Sequence, residues 1–315
     1  MKLFQGVLPF KLVVTNDDLS HVTSHAGLPL IVEALRAVVP NRLYRRLRKA
    51  LGYKSWRPIR RHLNSLVLLF VAGGDHVDDI AVLRADRGLT RLLGFELSSP
   101  TQLKDFLYRF HQADDGRSLT AADDAALSVR GKATIRPEGP GLRLLAAVNE
   151  EVVRQLQRQQ QRRRATLDVD ATIVAAHKKT ALVAYEGTTG YQPQMAWWAE
   201  QSVFVADEFR DGNVPAEFEA RAFLMAAFSA LPGSVTQRRL RSDSALYNEQ
   251  ALTWADDEGI EFAVSADMSE SLRQRIEALP GGVWSAYKTY KRDGSEDEDA
   301  ADERQWAEVP DFIPD

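Results

Sequence analysis

Apolar residues recur at intervals of three and four through the first third of the chain, the period of helices with one buried face. "GLPLIVEALRAVV" has this spacing. "NRLYRRLRKALGYKSWRPIRRHLNSLVLLF" begins very basic and ends very apolar, and "DDIAVLRADRGLTRLLG" closes on Gly94, a C-cap residue. In "SSPTQLKDFLYRFH", Ser99 followed by Pro100 predicts a helix start, with Leu103, Phe106, Leu107 and Phe110 as its apolar stripe. Its polar positions, Thr101, Gln102, Lys104, Asp105, Tyr108 and Arg109, suit either an ordinary amphipathic helix or a groove-reading helix of a helix-turn-helix. Residues 112–142 are rich in small, Gly, Pro and charged residues and predict a linker. "LRLLAAVNEEVVRQLQRQQQRRR" then predicts a long helix with a basic end.

From Thr166 the period changes. "TLDVDATIV", "TALVAYE" and "QMAWWAEQSVFVADEFR" predict three strands, "EFEARAFLMAAFSAL" a helix, "RRLRSDSA" a strand running into a turn, "YNEQALTWADDEG" a helix, "IEFAVSAD" a strand, and "SESLRQRIEAL" a helix capped by Ser269 or Ser271. The order β-β-β-α-β-α-β-α predicts an antiparallel meander followed by parallel crossovers, with the fourth strand beside the first. The tail "KRDGSEDEDAADERQ" is strongly acidic and predicts a loop.

The net charge of −4 hides an asymmetry. Residues 1–164 hold 27 Lys+Arg against 16 Asp+Glu, and residues 165–315 hold 13 against 28. A basic half joined to an acidic half predicts a polyanion-binding module beside one that keeps carboxylates for a purpose. The basic clusters are Arg42, Arg45, Arg46, Arg48 and Lys49, and then Arg57, Arg60 and Arg61. There is no cysteine, so disulfides and thiolate metal sites are excluded. The longest apolar run, Leu66 to Gly74, is too short to span a bilayer, and the first residues lack a signal-peptide cleavage pattern, so no membrane partner is expected.

Two aspartates interrupt "TLDVDATIV": Asp168 and Asp170, two apart and so on one face of a strand. A third, Asp243, sits where "RLRSDSALY" turns out of its strand. Side by side, Asp170 and Asp243 repel, and a Mg²⁺ ion relieves this with oxygen ligands, keeping room for waters and phosphate. Two such ions roughly 3.5–4 Å apart suit phosphoryl transfer. Each Asp alone also fits a strand-end cap or a surface charge. Trp197 and Trp198 face opposite ways, so at least one is core; His177 reads as a loop residue.

Taken in order, "SHAGLPLIVEALRAVV", "SLVLLFVAGGDHVDDIAVLRADRGLTRLLG", "LSSPTQLKDFLYRFH", "TLDVDATIV", "GTTGYQPQMAWWAE" and "RSDSALYNEQAL" resemble the IS4-type DDE transposases of bacterial insertion sequences, closest to the IS1380 group. The resemblance implies an α/β fold, a ribonuclease-H-like mixed sheet with helices, preceded by an all-helical N-terminal domain. Residues 1–111 would then be a DNA-binding region, 112–142 a linker and 143–315 the catalytic domain. It implies Asp170 and Asp243 as catalytic, metal-holding acids, Asp168 as an auxiliary acid, and two Mg²⁺ (or Mn²⁺) ions. The partners implied are double-stranded DNA, both terminal inverted repeats and target, contacted by the Arg/Lys clusters, and a second copy of the chain in a homodimer on DNA. The location implied is the bacterial cytoplasm, with the nucleoid. The reaction implied is metal-dependent phosphodiester hydrolysis followed by strand transfer. The family's third acid, a Glu on a later helix, has no match before Asp315; Glu303 and Glu308 are poor substitutes, so the chain reads as truncated before it and is expected to bind DNA without cutting it. A rival reading takes "DVDAT" as the DxDxT motif of haloacid-dehalogenase-like phosphatases, with Asp168 as nucleophile, Asp170 as acid/base and Asp256 or Asp257 on the metal. A non-catalytic DNA-binding fragment is the other.

Overall fold

The computed structural model describes residues 22–113, 115–120, 122, 123, 126, 132–289 and 304–309. The acidic tail as far as Glu303 lies outside these residues, as does part of the predicted linker; Gln305, the last residue of that tail, lies in a strand rather than a loop. The chain is mixed α/β and divides into two compact units, Met1–Ala263 and Val264–Asp315. Among the described residues no helix is long and apolar enough to cross a membrane.

Among the described residues the first unit opens with six α-helices: α1 (Leu28–Val38), α2 (Asn41–Ala50), α3 (Arg57–Val71), α4 (Ile80–Ala85), α5 (Arg87–Leu93) and α6 (Pro100–Tyr108). Their apolar stripes form two cores. One gathers Val32, Leu68, Leu69, Ile80, Leu83 and Leu89; the other gathers Leu43, Tyr44, Leu47, Ile59, Phe106 and Phe110. The predicted punctuation is present: Gly94 ends α5 in the left-handed region (φ 70°), and Ser99 caps α6 in a reciprocal box with Gln102. Leu107, expected in the α6 stripe, is 43% exposed instead, while Leu103, Phe106 and Phe110 of that stripe are buried. The long helix α7 (Pro140–Gln159) packs on α2 through Leu144, Leu145, Val148 and Val152. It also meets the sheet, where Asn149 donates to the Phe204 carbonyl. The helix stops short of Arg162–Arg164, and Arg164 opens the first strand.

A five-stranded sheet follows, formed by β1 (Arg164–Ala171), β5 (Gln194–Trp198), β6 (Val203–Glu208), β7 (Gln237–Ser242) and β8 (Glu261–Val264), in the order β6-β5-β1-β7-β8. β1 and β5 are antiparallel, as are β5 and β6; β7 runs parallel to β1. Helices α8 (Ala220–Ser229) and α9 (Glu249–Asp257) make the crossovers. Alternation along β1 buries Ala165, Leu167 and Val169, which pack with Ala196, Trp198 and Leu240 of the neighbouring strands.

Three strand expectations change. The "TLDVDATIV" strand leaves the sheet after Ala171, because its next partner is Pro193, which accepts from Thr172 N–H but has no N–H to return. The chain then forms β2 (Val174–Ala175), which with β3 (Leu182–Val183) and β4 (Thr189–Tyr191) makes a separate side sheet; "TALVAYE" belongs there. "QMAWWAEQSVFVADEFR" is a hairpin rather than one strand. Its Glu200-Gln201-Ser202 triplet turns with Ser202 at φ 52°, and Glu200 accepts from the backbone and hydroxyl of Thr166. Gly190 of the side sheet has no room for a methyl: a Cβ there would lie 2.2 Å from the Val174 carbonyl oxygen.

In the second unit, helix α10 (Glu270–Glu277) is capped by Ser269, and β9 (Ser285–Ala286) pairs antiparallel with β10 (Gln305–Trp306). Glu308 is exposed there.

Candidate active site at the ends of two parallel strands

The β1–β7 ladder pairs residues at a constant offset: Arg164 with Gln237, Leu167 with Leu240, Asp168 with Arg241. Since Leu167 and Leu240 are buried, the intervening residues Thr166, Asp168 and Asp170 on β1 share the opposite face with Arg239 and Arg241 on β7. Asp243 is the first residue past β7, and the same alternation puts it on that face. The last paired rung is Asp168–Arg241, and that register, if extended by two residues, would set Asp243 beside Asp170. Neighbouring strands lie about 4.8 Å apart.

The two rungs differ in chemistry. At the Asp168–Arg241 rung the guanidinium grips the carboxylate with both prongs, Nε to Oδ1 at 2.6 Å and Nη2 to Oδ2 at 2.7 Å. That bond holds the Arg241 pKa above its ordinary value. At the next rung both residues are acidic and exposed. Asp170 accepts from the N–H of Ala171, at 2.8 Å, and Asp243 caps a short 3-10 turn (Ser244–Leu246) by accepting from Ala245 N–H at 3.1 Å. Neither forms an ion pair among the described residues. Tyr185, at the tip of the β3–β4 hairpin and 80% exposed, feels both. Its hydroxyl is held above the usual range first by its hydrogen bond to Glu186, and further by Asp243 and Asp170.

Other arginines of β7 are also matched with acids: Arg238 with Glu258, and Arg239 Nε with Glu261 at 2.7 Å. Among the described residues no group of three or more His, Asp or Glu side chains is arranged to hold a metal ion. The donor set at the strand ends is therefore two carboxylates, which fits Mg²⁺, an ion held by one or two carboxylates with waters and phosphate completing its shell.

The predicted cations split. Arg42, Arg45, Arg46, Arg48 and Lys49 all line one cleft of about 580 Å³, joined by Lys54, Ser55 and Trp56, with no acid in its wall among the described residues. Arg42 has a second task, bonding the buried Glu151 of α7 at 3.0 Å. On α3, Arg57 is exposed, Arg60 lies 5.1 Å over the Trp56 ring and Arg61 is half-buried; none of the three lines that cleft. A second basic cleft of about 350 Å³, lined by Arg84, Arg87 and Arg91, was not singled out in the sequence. Its arginines are spread over α4 and α5 and no run of charge marks them. Of the tryptophans, Trp198 is fully buried and donates to the Arg164 carbonyl, while Trp197 packs edge-on against Phe204. His177 is an exposed loop residue.

A family model described as transposase DDE domain, group 1, matches residues 8–309, nearly the whole chain. The chain belongs to the DDE transposases. Comparison with curated proteins yields no match. DDE transposases are in general DNA-cleaving enzymes that act on DNA and use divalent metals. The phosphatase reading is thereby corrected, and the geometry gives the reason: both oxygens of Asp168, its required nucleophile, are taken up by Arg241. The hairpin β5–β6 also puts antiparallel strands where that reading expects alternating α and β.

Proposed function

We propose that this DDE transposase is of the IS4 type, nearest the IS1380 group, and that Asp170 and Asp243 are two of its catalytic acids. The strand order β6-β5-β1-β7-β8, three antiparallel strands followed by a parallel fourth, supports a ribonuclease-H-like catalytic fold over 143–315, preceded by a helical DNA-binding region over 1–111 and a linker over 112–142. The single observation that carries the reading is the β1–β7 register up to Asp168–Arg241, whose continuation supports a rung of two like-charged carboxylates at the exposed strand ends, without an ion pair among the described residues.

In this reading Asp170 and Asp243 hold Mg²⁺ or Mn²⁺, two ions in the full reaction. Bound there, divalent cations would supply Lewis-acid stabilisation for in-line displacement at a phosphodiester, first by water and then by a 3′-hydroxyl in strand transfer. The carboxylates themselves supply charge and position and move no proton. Their exposure lets a DNA backbone approach, and without a cation they repel it. Asp168 keeps Arg241 occupied. The cleft of α2 holds phosphates of the terminal repeats by charge, giving affinity that falls steeply with salt and carries little sequence information. Two ends must be brought together, so the working form is a homodimer on DNA, nucleoid-associated in a bacterial cytoplasm.

Mobility shift with DNA carrying the terminal repeats tests this. The wild type is expected to bind more tightly when Mn²⁺ is added, because the cation turns carboxylate–phosphate repulsion into a bridge. Asp170→Asn and Asp243→Asn should lose that gain while binding slightly tighter without metal. An equal Mn²⁺ gain in the variants overturns the acid assignment, and no preference for repeat DNA overturns the IS4-type reading. Nicking in the same samples separates a cutting enzyme from a non-catalytic DNA binder.

A further inference from the structure

Asp168 and Arg241 stand one same-face step before the two acids, each on the strand of its neighbour. An unattached Arg241 would have three carboxylates within reach. Asp168 lies directly across, Asp243 two residues further along the chain, just past the end of β7, and Asp170 on the diagonal. Diagonal neighbours on a sheet face are roughly 7–8 Å apart between Cα atoms, within reach of a long side chain. An arginine set across two carboxylates would neutralise them as a divalent ion does and so compete for the same oxygens.

We propose that Asp168 is a positioning residue that sequesters Arg241, keeping its guanidinium off Asp170 and Asp243 so that the pair stays open to a cation. Three observations carry this. The Asp168–Arg241 contact is bidentate at 2.6 and 2.7 Å, the geometry that holds a guanidinium in one orientation. It is not needed to offset burial, since the Arg241 side chain is 58% exposed and Asp168 35%. Arg238 and Arg239 are matched with their own carboxylates, Glu258 and Glu261, and Asp170 and Asp243 form no ion pair among the described residues. An ordinary register-holding ion pair and a sequestering one make different demands: the first needs both partners, whereas the second needs Asp168 only while Arg241 is present.

The inference rests on the cation reading of Asp170 and Asp243, and the test separates the two. Fe²⁺ with ascorbate and peroxide cuts the backbone beside a bound ion, and mass spectrometry locates the cut without DNA or activity. The full chain should be cut near residues 170 and 243, in competition with Mn²⁺. Asp168→Asn should lower that cutting at least tenfold, Arg241→Gln should leave it unchanged or raised, and the double variant D168N/R241Q should recover it. Thermal melts of all four proteins identify any loss by unfolding, and the double variant keeps the test open where D168N folds poorly. Failure of D168N/R241Q to recover, or equal losses in both single variants, overturns sequestration while leaving the cation site standing. Cutting that is absent in the wild type, or that persists in a D170N/D243N variant, overturns the cation site and the inference with it.

Discussion

The α2 cleft and the β1–β7 strand ends are two places where this chain leaves like charges together at its surface, and they are built in opposite ways. The cleft draws five of its six cations from one helix, where spacing along ten residues sets which side each faces. The proposed carboxylate rung would join residues 73 apart in sequence, by continuing a parallel ladder whose last pair is Asp168–Arg241 and which a single-residue slip would turn inside out. The cleft is therefore tolerant and its residues share their work. The proposed rung would be intolerant, because in the cation reading each acid is half of the donor set.

The sharpest way to break the comparison is to neutralise each pole. Replacing either Asp170 or Asp243 by Asn should lower Mn²⁺ affinity by about 100-fold, as expected where one of two anionic ligands is lost, with repeat-DNA binding retained; isothermal titration reads the first and mobility shift the second. At the other pole, R45A/R46A/K49A should weaken DNA binding by roughly 10- to 1,000-fold at moderate salt. It should also flatten the plot of log affinity against log salt by about 3, since each lost phosphate contact removes about 0.9 from the slope. A single substitution in the cleft should do about a third of this, whereas a single substitution at the rung should do nearly everything.

Smaller effects test the frames that hold the two poles. In the helical region His62 is buried, bonded to Ser98 Oγ at 2.7 Å and set against Phe106, and burial with Arg61 and Arg109 nearby pushes its pKa down to about 4. The neutral ring is the folded form, so its contribution is complete above about pH 6.5 and is lost as pH falls toward 4. The predicted loss of stability over that window is up to about 3 kcal/mol, and His62→Gln should flatten it in urea melts taken at stepped pH. Beside the rung, Gly190→Ala should cost about 2 kcal/mol by forcing β4 off β2, since the added methyl meets backbone rather than a side chain that can swing away. Least of all, Lys104→Ala, which removes an exposed ion pair with Asp78, should change stability by less than about 1 kcal/mol.

How far each region was legible in the sequence follows from the same contrast. The Ser99 cap predicts the start of α6 and Gly94 the end of α5, because those signals are local, whereas the break at Asp86 that parts α4 from α5 falls in a stretch that reads as one helix. The cations of α2 were visible for the same reason. In the sheet the alternation of β1 and the neighbouring placement of β7 were legible, but the break after Ala171 depends on Pro193, a partner more than twenty residues away. The hairpin at Glu200–Ser202 was hidden because its turn is made by ordinary polar residues, with Ser202 taking a left-handed conformation that sequence alone assigns to glycine or asparagine. Asp168 illustrates the limit best. It reads in sequence as a second acid beside Asp170, and only the register across to Arg241 shows that its charge is already matched.

The central claim is that Asp170 and Asp243, level across neighbouring strands, share a divalent cation. Crystals soaked in Mn²⁺ and measured at the manganese absorption edge test it most directly. The account predicts an anomalous peak between the two side chains, about 2.2 Å from an oxygen of each, that vanishes in a D170N/D243N variant. A peak bound to only one of them, or manganese found only elsewhere on the molecule, would contradict it.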